Sequence, residues 1–132
     1  MEIAPIGRVI SNEEGCARIE ILPEFLDGLY RIEESDELLV LYVFDRTDEV
    51  RLRVHPRGDP SAPEVGVFAS RSPLRPNHIA ATVVQLVAVS GGILTVEGLD
   101  ALDGSPVVDI KPGNRRDDPC PGGPSRSLAG VR

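Results

Sequence analysis

Apolar residues in this chain fall into short runs that mostly follow the two-residue period of β-strands. Residues 16–22 alternate apolar and polar side chains, a pattern typical of a strand with one buried face. Residues 38–44 are apolar throughout, which predicts that the most apolar strand of the fold is a central one. The other predicted strands span residues 3–10, 50–54, 65–69, 79–89, 93–96 and 107–110.

Turn residues separate these runs. The sequence Ser90-Gly91-Gly92 predicts a hairpin turn, and residues 103–106, which read DGSP, predict another turn before the last strand. Pro23 precedes a short predicted helix over residues 24–30. Strands that follow one another without regular intervening helices predict an all-β fold, either an antiparallel barrel or a sandwich.

The chain has 132 residues, enough for one domain with a substantial core. We predict a folded domain over residues 1–112 and a disordered tail over residues 113–132, where Pro, Gly and Ser dominate. No apolar run reaches the roughly 20 residues that span a bilayer, and no secretory signal is visible. Cys16 and Cys120 are interpreted as free thiols, so we expect a cytoplasmic protein.

The net charge of −7 is unevenly distributed. Residues 1–50 carry thirteen acidic and four basic side chains, whereas residues 51–78 carry two acidic side chains and five arginines. An acidic protein is a poor general binder of nucleic acid, because affinity for phosphate backbones depends on the number of cations. The local excess of arginine could still contact one RNA, especially if a symmetric partner doubles it. Scattered, solvated charge is the alternative.

Residues 65–78 lead from an apolar run into a loop stiffened by two prolines. The X-Pro steps at Ser72 and Arg75 favour extended backbone, and polyproline II geometry would place Ser72, Arg75 and His78 along one edge. A stiff loop that also carries Arg71 and Asn77 suits an anionic or nucleotide-like ligand, because little order is lost on binding. The alternative is a surface loop whose arginines pair with the protein's own carboxylates.

Several familiar chemistries have no support in the sequence. There is no glycine-rich turn from strand to helix, so a Rossmann cofactor site is not expected. A GxSxG nucleophile turn is also absent. Two histidines and two aspartates match no zinc spacing, and neither cysteine belongs to a CxxC pair, so no metal is expected; these residues are His55, His78, Asp103 and Asp109.

Two long motifs carry a resemblance to a known family. The stretch VGVFASRSPLRPNHIAATVVQL, from residue 65, and the stretch GLDALDGSPVVDIKP, from residue 98, resemble the GVFATRSPFRPNPIGLS and DLLDGTPVLDIKPY signatures of the TsaA-like family. The segments PIGRVIS, IEILPEFLDGLYRIEESDELLVLYVF and LRVHPRGDP are similar to other parts of that family. The likeness covers about residues 3–112.

The resemblance implies a small, mostly antiparallel β-barrel, with the cofactor S-adenosylmethionine bound near the interface of a homodimer. It implies methylation of the exocyclic amine of threonylcarbamoyladenosine in tRNA, without a metal. The implied cofactor-binding residues are Arg71, Ala81, Leu99, Asp100 and Ala101. The implied catalytic residues are Asn77 and Asp109, and the implied substrate-binding residues are Arg75 and Lys111. For Asp109, an ion pair with Lys111 at the barrel end is the alternative.

Some positions depart from the family pattern. No PRQPGL-type segment, which would help to cover the cofactor, follows the first strand. Residues 36–39 read DELL where the family has SHLW, Asp45 replaces a histidine, residues 78–80 read HIA for PIG, and Gly113 replaces a tyrosine. Two interpretations stay open: the tRNA methyltransferase, and a relative that binds the cofactor or a nucleotide without catalysis or methylates another acceptor.

Overall fold

The structure is a computed structural model, and residues 1–113 of it are described here. Eight strands account for most of the regular structure in these residues. Their bounds are β1 Gly7–Glu13, β2 Cys16–Ile21, β3 Glu37–Val43, β4 Arg53–Val54, β5 Val65–Gly66, β6 Ile79–Ser90, β7 Ile93–Glu97 and β8 Pro106–Pro112. The disorder predicted for the tail falls on residues that, apart from Gly113, lie outside the described part of the chain.

Six of the strands form a closed antiparallel barrel in the order β1-β2-β7-β6-β3-β8. Pairing of Gly7 with Val107 joins β1 to β8 and closes the sheet, so neither strand is left as a free edge. The predicted all-β barrel is therefore confirmed. Strands β4 and β5 pair with each other in a small separate sheet.

Strand β3 pairs along both of its edges, as every strand of the closed barrel does, so the predicted central position has no counterpart in this sheet. It pairs with β6 on one side and with β8 on the other. Its alternate residues Leu38, Val40 and Tyr42 are buried in the barrel. Branched aliphatic side chains from the other strands fill the rest of the core: Val9, Ile19, Ile21, Val84, Leu94, Val96 and Val107.

The hairpin turn at Gly91 and Gly92 is confirmed, and it joins β6 to β7. Both glycines have positive φ, of 60° and 80°, which is the requirement of a two-residue turn between antiparallel strands. The tight turn at these two glycines places Ser90 of β6 directly opposite Ile93 of β7.

Two predicted strands are much shorter than expected. The alternation over residues 50–54 suggests an inward face of Val50, Leu52 and Val54, but only Val54 is buried; Val50 and Leu52 are 45% and 64% exposed. The predicted inward face is wrong for Val50 and Leu52, because the short β4 begins only at Arg53 and pairs with β5 in a sheet separate from the barrel. Likewise, residues 65–69 form only the short β5 and then a turn of 3-10 helix.

The first predicted strand also begins later than expected, at Gly7. The helix predicted over residues 24–30 is present as a 3-10 helix over Pro23–Leu29. Three shorter 3-10 segments follow, at Ile32–Glu34, Pro56–Gly58 and Val67–Ala69. In residues 1–113 we find no helix with the length and apolar character that crossing a membrane requires.

Candidate functional site

Arg75 holds the proline-rich loop together from inside. Its Nη1 atom donates hydrogen bonds to three carbonyl oxygens of the preceding chain: Val67 at 3.1 Å, Ser70 at 2.8 Å and Ser72 at 3.4 Å. A guanidinium suits this task because its donors are fixed in one plane. These contacts tie the side chain to its own loop, and the substrate-binding role that the resemblance implies for Arg75 stays a prediction.

Arg71 connects the same loop to the barrel. Its Nη1 atom donates to the backbone oxygen of Ala81, in β6, at 2.7 Å. The structure thus brings together two residues for which the family resemblance predicts cofactor binding, and that role stays a prediction. The other N–H groups of this guanidinium make no hydrogen bond within residues 1–113, so they can meet an anionic group.

The loop does not keep polyproline II geometry to its end. His78 has a φ of 54°, in the left-handed region, and its Nε2 atom lies 2.8 Å from the backbone oxygen of Glu49. The expected common edge of Ser72, Arg75 and His78 is therefore wrong, because the chain turns at His78 to enter β6.

Asp100, between β7 and β8, meets two hydroxyl groups from the barrel. Tyr42 Oη donates to Asp100 Oδ1 at 2.5 Å, and Thr82 Oγ1 donates to the same oxygen at 3.3 Å. Asp100 Oδ2 makes no hydrogen bond within residues 1–113. One carboxylate oxygen is thus fixed by the protein, and the other can accept a hydrogen bond from a ligand.

Tyr42 stays protonated in this arrangement. Burial of the ring and the hydrogen bond to Asp100 raise the pKa of Tyr42 to about 12, while Thr82 and the nearby positive charge of Arg71 act in the opposite direction. A neutral phenol can donate to a carboxylate, whereas a phenolate cannot. A phenol with the ordinary pKa of 10.0 is already protonated at neutral pH, and the raised pKa extends the persistence of this hydrogen bond into the alkaline range.

These groups line one cleft of about 490 Å³ at the end of the barrel where β3 stops and β6 begins. The cleft combines aromatic rings, a guanidinium and a carboxylate. Its lining residues are Tyr42, Phe44, Phe68, Ser70, Arg71, Arg75, Ile79, Ala80, Ala81, Thr82 and Asp100. Such a mixture suits a small organic ligand that carries both charges.

Sequence reasoning missed the aromatic and hydroxyl groups of this cleft. Tyr42 pairs with Ala80 across the two strands, and Val40 pairs with Thr82, so strand register alone brings Tyr42 close to Thr82. One signal was available: a tyrosine at an inward position of β3 needs a partner for its hydroxyl.

The segment that carries Asp100 also borders two further clefts, of about 690 and 300 Å³. Leu99 and Ala101, two predicted site residues, line the larger of these, and Ala101 also lines the smaller one. Their side chains are only 1% and 3% exposed, so they anchor the segment in the core. Asp100 borders all three clefts and is the common wall between them.

The remaining predicted residues lie elsewhere. Asn77 is exposed in the turn before β6. Asp109 Oδ2 lies 3.0 Å from Lys111 Nζ, and Asp109 Oδ1 accepts from the backbone N–H of Ile110 at 2.8 Å. None of Asn77, Asp109 and Lys111 lines the three clefts described above. Their implied roles stay predictions.

Gly113 explains one departure from the family pattern. A Cβ atom at this position would lie 3.0 Å from the backbone carbon of Leu38 and 3.2 Å from its nitrogen and oxygen. The Gly113 N–H donates to the carbonyl oxygen of Glu37 at 2.9 Å, which holds the chain against β3. A tyrosine side chain would not fit here unless the backbone moved.

Among residues 1–113, no group of three or more His, Cys, Asp or Glu side chains is arranged to hold a metal ion. Taken together, the fold and cleft define a class: a small antiparallel barrel that presents an aromatic, mixed-charge ligand cleft at one end. The family model for the N-terminal domain of tRNA-methyltransferase O matches residues 4–118. The chain belongs to this family, which confirms the resemblance seen in its two motifs.

Archaeal proteins are similar to this chain over most of its length. An S-adenosyl-L-methionine-binding protein of Archaeoglobus fulgidus is 46% identical over 98 residues, covering 74% of this chain and 69% of the relative. A second protein of the same organism is 56% identical over 94 residues, which are 71% of this chain but 25% of that protein. The chain therefore spans only a part of some relatives.

Solved structures of TrmO share the fold. One is 29% identical, with a TM-score of 0.68, and the match covers 95% of this chain and 62% of that chain. TrmO from Pseudomonas aeruginosa is 31% identical, with a TM-score of 0.66, and the match covers 86% of this chain and 55% of that chain. The overall fold of this chain is thus shared with both structures.

Proposed function

We propose that this chain binds S-adenosylmethionine and methylates the exocyclic amine of threonylcarbamoyladenosine in tRNA. The observation that carries the proposal is the cleft of about 490 Å³, which joins Arg71 and Asp100 to three aromatic rings in a protein of this family. The names of the archaeal relatives support the cofactor, and the name of the family supports the RNA acceptor.

The residues of the cleft fit S-adenosylmethionine. The volume lies within the range of about 300–1,000 Å³ that small-molecule sites have. A sulfonium cation is attracted to the faces of aromatic rings such as Phe44 and Phe68. The free oxygen of Asp100 can accept a hydrogen bond from an ammonium or hydroxyl group of the cofactor. The carboxylate of the methionine part suits the guanidinium of Arg71.

The cofactor, when bound, supplies a methyl group on positively charged sulfur. The contribution of the chain is to hold and orient the reactants and to keep charges in place. Tyr42 and Thr82 fix one oxygen of Asp100, so the carboxylate needs little reorganisation when a ligand enters. Asn77 is proposed to orient the target amine and Asp109 to accept its proton.

We also propose a tRNA partner in the cytoplasm, contacted through Arg75 and Lys111. Residues 51–78 carry five arginines and two acidic side chains, which favours contact with phosphate groups. Arg51 and Arg53 form ion pairs with glutamates of the protein, so Arg57, Arg71 and Arg75 supply most of the charge for this contact.

A homodimer with the cleft near its interface completes the proposal. On the outer face of β6, Val83 and Val87 are 49% and 53% exposed, and Val83 pairs with Leu39 of the apolar strand β3. Ala81, which lines the cleft, lies two residues before Val83. Light scattering should give twice the mass of one chain; the mass of a single chain at micromolar concentration would contradict the dimer.

Mass spectrometry of tRNA nucleosides tests the reaction. Purified protein, S-adenosylmethionine with a labelled methyl group, and tRNA that contains threonylcarbamoyladenosine should yield the labelled methylated nucleoside. Asp100→Asn should lower the rate at least about tenfold, because a charge-assisted hydrogen bond contributes about 1.5–3 kcal/mol. Asp27→Asn is the matched control and should not change the rate, because Asp27 is exposed and lines none of the three clefts.

If the protein binds the cofactor but labels no tRNA nucleoside, the reaction is contradicted. The tight β1–β2 connection, which takes the place of the family's cover segment, is the observation that favours this alternative of a binding relative. A label that appears on another nucleoside would indicate a changed acceptor.

A further inference from the structure

The side chain of Asn12, at the end of β1, uses all its polar atoms to join two parts of the molecule. Its Nδ2 atom donates to the carbonyl oxygens of Leu99 at 2.9 Å and Ala101 at 2.8 Å. Its Oδ1 atom accepts from the backbone N–H of Gly15 at 3.0 Å. Both amide hydrogens are thus committed to the two residues that flank Asp100 in the chain.

The β1–β2 hairpin gives Asn12 a rigid base. Glu14 and Gly15 form its two-residue turn with φ values of 54° and 90°, as tight hairpins require. The carbonyl oxygen of Gly15 also accepts from the N–H of Gly98 at 2.9 Å, so the hairpin holds the start of the same segment. The segment is therefore fixed from one side by three hydrogen bonds, two from Asn12 and one to Gly15.

We infer that Asn12 is a positioning residue that orients Asp100 toward the cleft by fixing the backbone on both sides of it. Buried anchors at Leu99 and Ala101 set where the segment lies, but they do not set the rotation of its peptide planes. The two hydrogen bonds from Asn12 Nδ2 to the carbonyl oxygens of Leu99 and Ala101 set this rotation, because each bond fixes the direction of one peptide group. The carboxylate of Asp100 then lies within reach of Tyr42 and Thr82.

The nearest competing explanation is that Asn12 only closes its own hairpin. The bond from Gly15 to Oδ1 would serve that purpose alone, and aspartate could replace asparagine in it. The two bonds from Nδ2 distinguish the explanations, because a carboxylate has no hydrogen to donate to a carbonyl oxygen.

The test uses Asn12→Asp and a readout that needs no ligand. In a Tyr30→Phe background Tyr42 is the one tyrosine of the chain, and a 13C label at Cζ reports on the hydrogen bond of its hydroxyl. The Asp100→Ala variant gives the position of the Tyr42 resonance when the carboxylate that accepts its hydrogen bond is absent. We expect Asn12→Asp to move the Tyr42 resonance most of the way toward that position, and Glu13→Gln, its exposed neighbour in β1, to leave it unchanged.

An unmoved Tyr42 resonance in folded Asn12→Asp would overturn the inference. Asn12→Ala, which adds no charge, serves as the second variant should the first fail to fold. If both variants are unfolded by circular dichroism, Asn12 is a structural residue of the barrel and the inference is likewise overturned.

The inference rests on the proposed function only in the identity of the ligand that Asp100 binds, which is S-adenosylmethionine. Affinity for S-adenosylmethionine should fall about tenfold in Asn12→Asp, as expected when a carboxylate–ligand hydrogen bond is misaligned. Absence of binding by the unsubstituted protein would contradict the proposed function, while the tyrosine resonance would still decide the role of Asn12.

Discussion

Tyr42 is the residue at which the barrel core and the cleft meet. Its ring is buried, with only 1% of the residue exposed, and packs edge-on against Phe44 at a centroid distance of 5.6 Å. Its hydroxyl donates to Asp100. Because the core fixes the ring, the direction of that hydrogen bond is fixed before any ligand binds.

Alkaline pH should reveal this environment as a loss of stability. The pKa of Tyr42 is raised from 10.0 to about 12 in the folded protein, mainly by burial. Below the pKa of the unfolded chain the resulting stabilisation is fully present; as pH rises toward the folded value it is lost, because only the unfolded state releases the proton. The free energy of unfolding by denaturant should therefore decline between about pH 10 and 12.

Tyr42→Phe is the control for this decline. The variant has no phenol to ionise, so its free energy of unfolding should fall less steeply over the same interval, and the difference between the two proteins should narrow as pH rises. Equal slopes for the two proteins would show that Tyr42 does not titrate differently in the folded state.

At the residue scale, the sequence predicted those cleft residues that lie inside one of the two family signatures. Arg71, Ala81 and Asp100 belong to two continuous signatures, and the structure brings them together around one cleft. The contact of Thr82 with Tyr42 depends on the register of β3 against β6, and the bonds of Asn12 join residues 87 and 89 positions apart. Pairings over such distances leave no mark in local sequence patterns.

Among the elements, β1 and β2 show how closely two backbones approach in this barrel. A Cβ atom at Gly7 would lie 2.3 Å from the carbonyl oxygen of Glu20, so no side chain fits there. Glycine is needed at this point because of the neighbouring backbone and not because of its own torsion angles. The same strand pair carries the hairpin that holds the Asp100 segment.

Gly7→Ala should therefore destabilise the protein. The two strands would have to separate near Ile21, at a cost of about 1–3 kcal/mol or more, the usual effect of overpacking. Gly28→Ala is the matched control, because nothing lies within 4 Å of a Cβ atom at that position. Denaturant unfolding of both variants measures the difference; equal free energies of unfolding would contradict the close approach of β1 and β2.

Strand predictions succeeded where alternation reflects the barrel core and failed where it does not. Residues 16–22 alternate because Ala17, Ile19 and Ile21 point inward, and β2 is present almost as predicted. Residues 50–54 show the same pattern, yet they form only the short β4. Periodicity indicates that a strand could have a buried face, but whether another layer covers that face depends on the tertiary fold.

At the scale of the whole molecule, the candidate ligand cleft lies at one end of a closed barrel. Closure through β1 and β8 leaves the connecting loops as the places where ligands can approach, and the proline-rich loop and the Asp100 segment lie at the same end. The all-β class could be predicted from strand patterns alone. The family resemblance was needed for the barrel, and the depth and lining of the cleft required the structure.

The central claim is that this cleft binds S-adenosylmethionine, and calorimetric titration tests it most directly. The protein should bind the cofactor at one site per chain, and Arg71→Ala should weaken binding at least about tenfold through loss of a charge-assisted hydrogen bond. Arg57→Ala, an exposed arginine of the same basic stretch, should bind as the unsubstituted protein does. Absence of binding, or equal affinity in the Arg71 variant, would contradict the account.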